Sequence, residues 1–334
     1  MAVALAVNLA ASNGLALTLP IFTNSRIGFA DGQSREIQRT ITFPTFDRQH
    51  KLTFDWDILG DADPWDRAGS IHAILPDGKQ VQLGKFVTGF NGTTSHSQDI
   101  SDLAPLLSGK TLPIEAHIDT WVADAWRVNA SVSADYDAQA QPNPTWGAAL
   151  ISRDSGLGWN ESGDVVRRYR AAVPTKMENV KLTYFASGHH HTQTNASDEF
   201  NQRVHRLYVN GVEVWSGIPW RTDGPNFRNV NPTSARWDGN GDGDTSDPYP
   251  IDYWSSDFPR SGWVPGDEVT PFEIDLTPYM SNRSIYTVDL KIEGVDINSF
   301  WRVSGYLSGT PVAPDLPGDF NTDGVVDAAD YTIW

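Results

Sequence analysis

The chain has 334 residues and a net charge of −17, with 42 acidic against 25 basic side chains. That balance excludes the basic face that nucleic acid or another polyphosphate partner needs. The complete lack of cysteine excludes disulfides and thiolate metal sites. No apolar run reaches the roughly 18 residues that span a bilayer.

Taken in chain order, MAVALAVNLAASNGLALTL carries small residues without a basic leader. It reads either as the remnant of an export signal or as a first strand, and residues 1–12 are assigned to the former. A secreted or periplasmic protein follows, taken as a monomer. KLTFDWDI then sets Leu52, Phe54, Trp56 and Ile58 against Lys51, Thr53, Asp55 and Asp57. TLPIEAHIDTW sets Leu112, Ile114, Ala116 and Ile118 against Glu115, His117, Asp119 and Trp121. VNASVSADY, NVKLTYF, RLYVNGVEVW and YTVDLKIEGV alternate in the same way, and alternation between turn residues marks half-buried strands. Asn210-Gly211 between two such runs marks a two-residue hairpin.

The predicted fold is therefore all-β, as two sandwiches of about eight strands each. DISDLAPLLSGKTLPIEAHID and FEIDLTPYMSNRSIYTVDLKI repeat one arrangement of strand, short helical turn, Ser-rich turn and strand. The polar stretch DAQAQPNPTW separates the halves, giving domains over 13–139 and 140–310 and a Pro-rich linker over 311–318.

Residues 319–334 hold a calcium-loop register, DFNTDGVVDAAD. Asp319, Asn321 and Asp323 take the first, third and fifth positions, the Val325 carbonyl the seventh, Asp327 the ninth and Asp330 the last. This segment resembles the first half of a type I dockerin, which implies docking to a scaffold protein and cell-surface association, although a dockerin has two such loops. A second acidic run, WDGNGDGDTSDPYP, places Asp238, Asn240, Asp242, Asp244 and Asp247 at calcium-loop spacing without the terminal ligand. Structural calcium and a plain solvated loop both fit it. No cofactor is expected to take part in catalysis.

Two stretches carry candidate chemistry. In GDADPWDRAGS, Trp65, Asp66 and Arg67 present an aromatic face, a carboxylate and a fixed cation in succession. A neighbouring cation is expected to keep Asp66 ionised, suited to act as base or nucleophile rather than acid. A turn cap or salt bridge explains the same residues. In IDTW, Asp119 and Trp121 are two apart on a strand, so both project to one side, as sugar recognition or a merely exposed strand face would have it.

From about Leu15 to Gly309 the chain resembles the peptide N-glycosidase F family, bacterial amidases that remove N-linked glycans from asparagine. The resemblance rests on FADGQSREIQRTITFP, PWDR, GKFVTGF, LLSGKT and IDTW in the first half. In the second half it rests on SGHHH, DEF, HRLYVNG and PRSGWVPG, all in order. It implies two jelly-roll-type sandwiches side by side, an active site at one end of their interface, and N-linked glycoproteins or glycopeptides as partners. It further implies Asp66 as the primary catalytic aspartate, with Arg67 beside it, and Glu199 as the second domain's catalytic contribution. Asp119, at a glutamate position of the family, and Trp121 are implied in sugar contact, with Arg260 and His189 near the site; Trp65 and Arg67 of the PWDR loop are expected to bind substrate with them. The family's disulfides have no counterpart here, so the loops around Asp66 and Glu199 must be held by other means. Two rival readings share the scaffold. One is a glycan-binding protein without turnover. The other is a copper-dependent monooxygenase using the run His189, His190 and His191, although adjacent residues of a strand point in opposite directions.

Overall fold

The computed structural model describes residues 16–30, 32–174, 176–190 and 197–312. The assigned export remnant, His191 and the dockerin-like loop from Asp319 to Asp330 lie outside these residues. The first lobe comprises β1 (Leu17–Ile27), β2 (Glu36–Thr42), β3 (His50–Gly60), β4 (Ala68–Ile74), β5 (Gln80–Val87), β6 (Thr94–Asp99), β7 (Thr111–Ile118) and β8 (Trp126–Tyr136). The second comprises β9 (Trp146–Leu157), β10 (Gly163–Ala172), β11 (Met177–His190), β12 (His205–Val209), β13 (Val212–Gly217), β14 (Arg236–Trp237), β15 (Tyr253–Trp254), β16 (Asp267–Glu268), β17 (Phe272–Asp275), β18 (Ile285–Val295) and β19 (Ser299–Pro311).

Antiparallel sheets in the orders β1-β8-β3-β6 and β5-β4-β7-β2 face each other in the first lobe. The orders β10-β18-β12-β13 and β17-β11-β19-β9 do so in the second. The alternation seen in the sequence has the expected cause. Leu52, Phe54, Trp56 and Ile58 of β3 are buried against Trp126, Val128 and Val132 of β8 and against Ile114 of β7. Each such side chain contributes about 1.5–3 kcal/mol of apolar burial. Asn210 and Gly211 both adopt positive φ, 50° and 83°, the pair of left-handed conformations a two-residue hairpin turn requires.

Two strands depart from alternation. β5 is buried along its whole length, and β11 is buried on both faces from Leu182 to His189 apart from its ends. NVKLTYF is thus not a half-buried strand. The inner sheets of the two lobes pack on each other, so Phe185 and Tyr306 join the first lobe's core while Tyr184 and Trp301 join the second's. Polar contacts cross this boundary: the Ser304 hydroxyl donates to Gln82 Oε1 at 2.9 Å, and the Gln80 amide donates to Ser152 Oγ at 2.9 Å. The sheets are further interlocked by β16, which belongs to the second half of the sequence yet pairs with β5. Asp267 lies opposite Val87 and Glu268 opposite Phe86, covering an edge that would otherwise leave unpaired backbone groups. Among the described residues no helix is long and apolar enough to cross a membrane.

Candidate active site

Asp66 lies in the connection between β3 and β4, and that connection is shaped by a neighbouring aspartate. Asp63 is fully buried, and its Oδ1 accepts from the Trp65 amide (3.1 Å) and from Arg67 Nη2 (3.2 Å). Its Oδ2 accepts from Arg67 Nε (2.8 Å) and from the Thr120 hydroxyl (2.6 Å). An aspartate that binds the amide two residues on forms a tight local turn. Buried Thr88 closes the loop from the other side, accepting from the Arg67 amide at 2.8 Å and donating to the Trp65 carbonyl at 3.3 Å.

Glu199 follows the end of β11 and is held in a parallel manner. Its neighbour Asp198 is fully buried and accepts from Arg203 Nε (2.6 Å) and from the Trp301 indole (2.9 Å). The Asp198 amide donates to Ser299 Oγ at 2.8 Å, and the Glu199 carbonyl accepts from the Ser261 amide at 3.0 Å. Gly188 lets this segment lie close to β11, because a Cβ there would come within 2.8 Å of the Asp198 carbonyl oxygen. With no cysteine in the chain, these buried polar clasps hold the loops around Asp66 and Glu199.

The two carboxylates converge on Arg260, which is only 3% exposed. Its Nε donates to Glu199 Oε1 at 3.3 Å, and its Nη2 lies 4.0 Å from Asp66 Oδ2. The guanidinium is fixed by the carbonyls of Phe258 (3.0 Å) and Ser255 (2.8 Å) and lies over the rings of Trp263 and Phe200. The other oxygen of Glu199 meets His190 Nδ1.

The electrostatics separate the two acids. Burial pushes Asp66 up to about 6; Arg260 opposes that rise, Glu199 adds to it, and Arg67 opposes it. Asp66 therefore stays ionised at neutral pH, as expected beside a cation, but desolvation outweighs the cations and lifts it above the usual carboxylate range. Burial would raise Glu199 as well, but the hydrogen bond from His190 and the charges of Arg260 and His190 hold it below the usual glutamate range. His190 is raised in turn, chiefly by its hydrogen bond to Glu199.

Other expected residues fall differently. Arg67 directs its donors to Asp63 and stacks its guanidinium 5.0 Å from the Trp121 ring centre, so it braces the loop. Asp119 and Trp121 are not on a strand face, since β7 ends at Ile118 and buried Thr120 turns inward between them. Asp119 pairs with Arg302 of the second lobe and accepts from His117 Nε2 at 2.8 Å. Burial alone would raise Asp119, but His117 and Arg302 carry it well below the usual carboxylate range. Trp121 remains 58% exposed beside Arg35 and Arg67, and Trp65 is 57% exposed. His189 is buried, bonded to Ser187 Oγ at 2.8 Å and stacked with Trp263 and Phe300. It packs behind the carboxylates.

The acidic loop directs its oxygens to its own amides. Asp238 accepts from Gly241 and Gly243, Asp242 from Asp244, and Asn240 Nδ2 donates to Asp247 at 2.9 Å. Among the described residues no group of three or more His, Asp or Glu side chains is arranged to hold a metal ion. A groove of about 560 Å³ opens near Asp102, Lys181 and Glu273, toward the β11 end remote from His190, and contains none of the candidate residues.

Sequence reasoning missed Arg302, His190, Asp63 and Arg35. Asp63 had a local signal, an aspartate two residues before the loop's tryptophan. Arg302 had none, because its partner lies 183 positions away, and His190 was read only as part of the histidine run.

Residues 162–308 match the family described as Peptide-N-glycosidase F, C terminal. No curated protein matches the chain. Among solved structures the chain is similar to PNGF-II, with a TM-score of 0.75 and 22% identity over 89% of this chain and 66% of that one. It thus spans just under two thirds of PNGF-II. It is also similar to PNGase F, a glycosylasparaginase from Flavobacterium meningosepticum, with a TM-score of 0.71 and 18% identity over 89% of this chain and 96% of that one. A further likeness is to a peptide-N(4)-(N-acetyl-β-D-glucosaminyl) asparagine amidase, with a TM-score of 0.70 and 18% identity over 90% of this chain and 97% of that one. The fold is shared with these proteins: nearly all β, in sandwich-type sheets.

Proposed function

We propose that this protein hydrolyses the amide bond between asparagine and the first GlcNAc of N-linked glycans, releasing the glycan and leaving aspartate. The observation that carries this reading is the meeting of Asp66 and Glu199, one from each lobe, on a single buried arginine. The match of the second half to the Peptide-N-glycosidase F family and the fold shared with two such amidases support it.

The chemistry follows from the acidities. Amides are poor electrophiles, so a base must activate water while a positive charge meets the developing oxyanion. Asp66, with its pKa near 6, is ionised at neutral pH yet basic enough to take a proton from water. Glu199 stays ionised and fixed by His190 and Arg260, suited to orient that water. Arg260 keeps two like charges together and supplies the counter-charge for the oxyanion. Trp121, Trp65 and Asp119 line the side on which the sugar binds, with Asp119 presented through Arg302 rather than free. Drawing these groups from two rigid lobes supplies orientation at no cost at the moment of reaction. Glycoprotein substrates place the protein outside the cytoplasm.

The test is incubation with a denatured N-glycoprotein followed by peptide mass measurement. Conversion of glycosylated Asn to Asp with release of intact glycan supports the proposal. Retention on a glycan column without cleavage supports a binding protein instead. The copper reading draws no support from the imidazoles: His189 Nε2 faces Ser187 and His190 Nδ1 meets Glu199, from consecutive positions of one strand.

A further inference from the structure

An aromatic ridge leaves the carboxylate pair and runs outward over the second lobe. The Arg260 guanidinium lies 5.3 Å from the Phe200 ring centre, and Phe200 meets Phe258 edge-on at 6.3 Å. Phe258 is 6.1 Å from Tyr253 and 6.2 Å from Trp237, which stack at 5.2 Å with their planes 13° apart. Trp237 is 39% exposed and Phe258 36%. A contiguous set of partly exposed rings is the kind of surface that binds apolar side chains.

The ridge is rigid, and it is tied to the Asp66 loop. Trp237 and Tyr253 pair across the β14–β15 ribbon. Arg228 clamps the ribbon from beneath, binding buried Asp257 at 2.7 Å and the carbonyls of Asp247 (3.1 Å) and Asp252 (2.9 Å). Just before the ribbon, Thr233 donates to the Pro64 carbonyl at 2.6 Å, two residues from Asp66. The ribbon's turn carries exposed Asp242 and Asp244.

We infer that this ridge is the binding surface for the polypeptide that flanks the glycosylated asparagine, with apolar side chains on the rings and lysine or arginine near Asp242 and Asp244. The inference rests on the amidase reading and deepens it. The scissile bond joins a sugar to a peptide, and two aromatic platforms leave the carboxylate pair. The Trp121 platform, on the first lobe, has polar partners in Asp119, His117 and Arg35 suited to hydroxyl groups. The ridge, on the second lobe, offers partly exposed rings and then carboxylates, a sequence that suits a basic, partly apolar peptide better than a neutral glycan.

The test uses three substrates with one glycan: a single blocked asparagine, a short peptide with Lys and Phe flanks, and the same peptide with Glu flanks. Wild type is expected to favour the basic peptide over the acidic one by about tenfold in KM. A Trp237→Ala/Tyr253→Ala variant should lose that preference while turning over the single asparagine normally. A milder Asp242→Asn/Asp244→Asn variant should lose only the charge component, which salt should also suppress in wild type. Equal losses on all three substrates overturn the inference. Binding of the unglycosylated basic peptide, followed by fluorescence anisotropy, separates the two readings. Binding without turnover removes the amidase and keeps the ridge; turnover without binding or flank preference keeps the amidase and removes the ridge.

Discussion

Arg260 Nη2 stands 4.0 Å from Asp66 Oδ2 across the lobe boundary, close enough to restrain that carboxyl but not to hold it fully ionised. Asp66→Asn is therefore expected to lower glycan release by ~10³-fold. The same change should not weaken folding. The folded-state pKa lies above the unfolded one, so the protonated carboxyl's contribution is complete below 3.8 and is lost as pH rises through about 6. Thermal melts should show Asp66→Asn at least as stable as wild type at pH 8, with the gap closing toward pH 4. A variant that loses stability at pH 8 refutes this account of the burial.

The pH profile of kcat/KM should rise through an apparent pKa near 6, the ionisation of the base. Glu199 raises Asp66 by like charge, so Glu199→Gln should move the Asp66 titration to lower pH. Carbon-13 NMR of the Asp66 carboxyl reads this directly, whatever activity the variant keeps. No movement, or movement upward, means that the two acids are not coupled.

Arg67 and Asp63 form a pair in which the carboxylate is wholly buried and the guanidinium 18% exposed. Arg67→Ala strands a buried charge and should cost about 3 kcal/mol in urea unfolding. Asp63→Asn combined with Arg67→Met should restore more than half of that loss, since no unpaired charge remains.

Gly188→Ala should be felt in both folding and turnover. The added methyl meets the Asp198 carbonyl at 2.8 Å and Ser261 Cβ at 2.9 Å, neither of which is a flexible end. Overpacking of this kind costs about 1–3 kcal/mol. Because Glu199 follows Asp198, kcat should fall more than KM changes; an unaffected kcat means that Glu199 needs no such support.

Strand existence was legible in the sequence wherever one face met water, as in β3, whose alternation from Lys51 to Ile58 maps directly onto burial. β11 was misread as half-buried because both its faces are covered, and hydrophobicity on both sides erases the period that betrays a strand's orientation. Asp66 and Glu199 were legible as candidates through motif order, while their common partner geometry was not. The pairing of Asp119 with Arg302 joins residues 183 positions apart, and nothing near Arg302 distinguishes it from any exposed strand arginine. His190 was read only as a possible copper ligand within the histidine run, yet it meets Glu199, nine positions on. The acidic loop read equally as a calcium site or as solvated chain; Asp238 accepts from the Gly241 and Gly243 amides, contacts that spacing alone does not encode.

The two-residue strand β16 stitches the later half of the chain to the rim of the earlier one. Such a stitch, together with the packed inner sheets, resists the two halves swinging apart. On the amidase reading proposed above, a substrate would thread into a mouth already set, and slack or unravelled polypeptide would enter more readily than a compact glycoprotein.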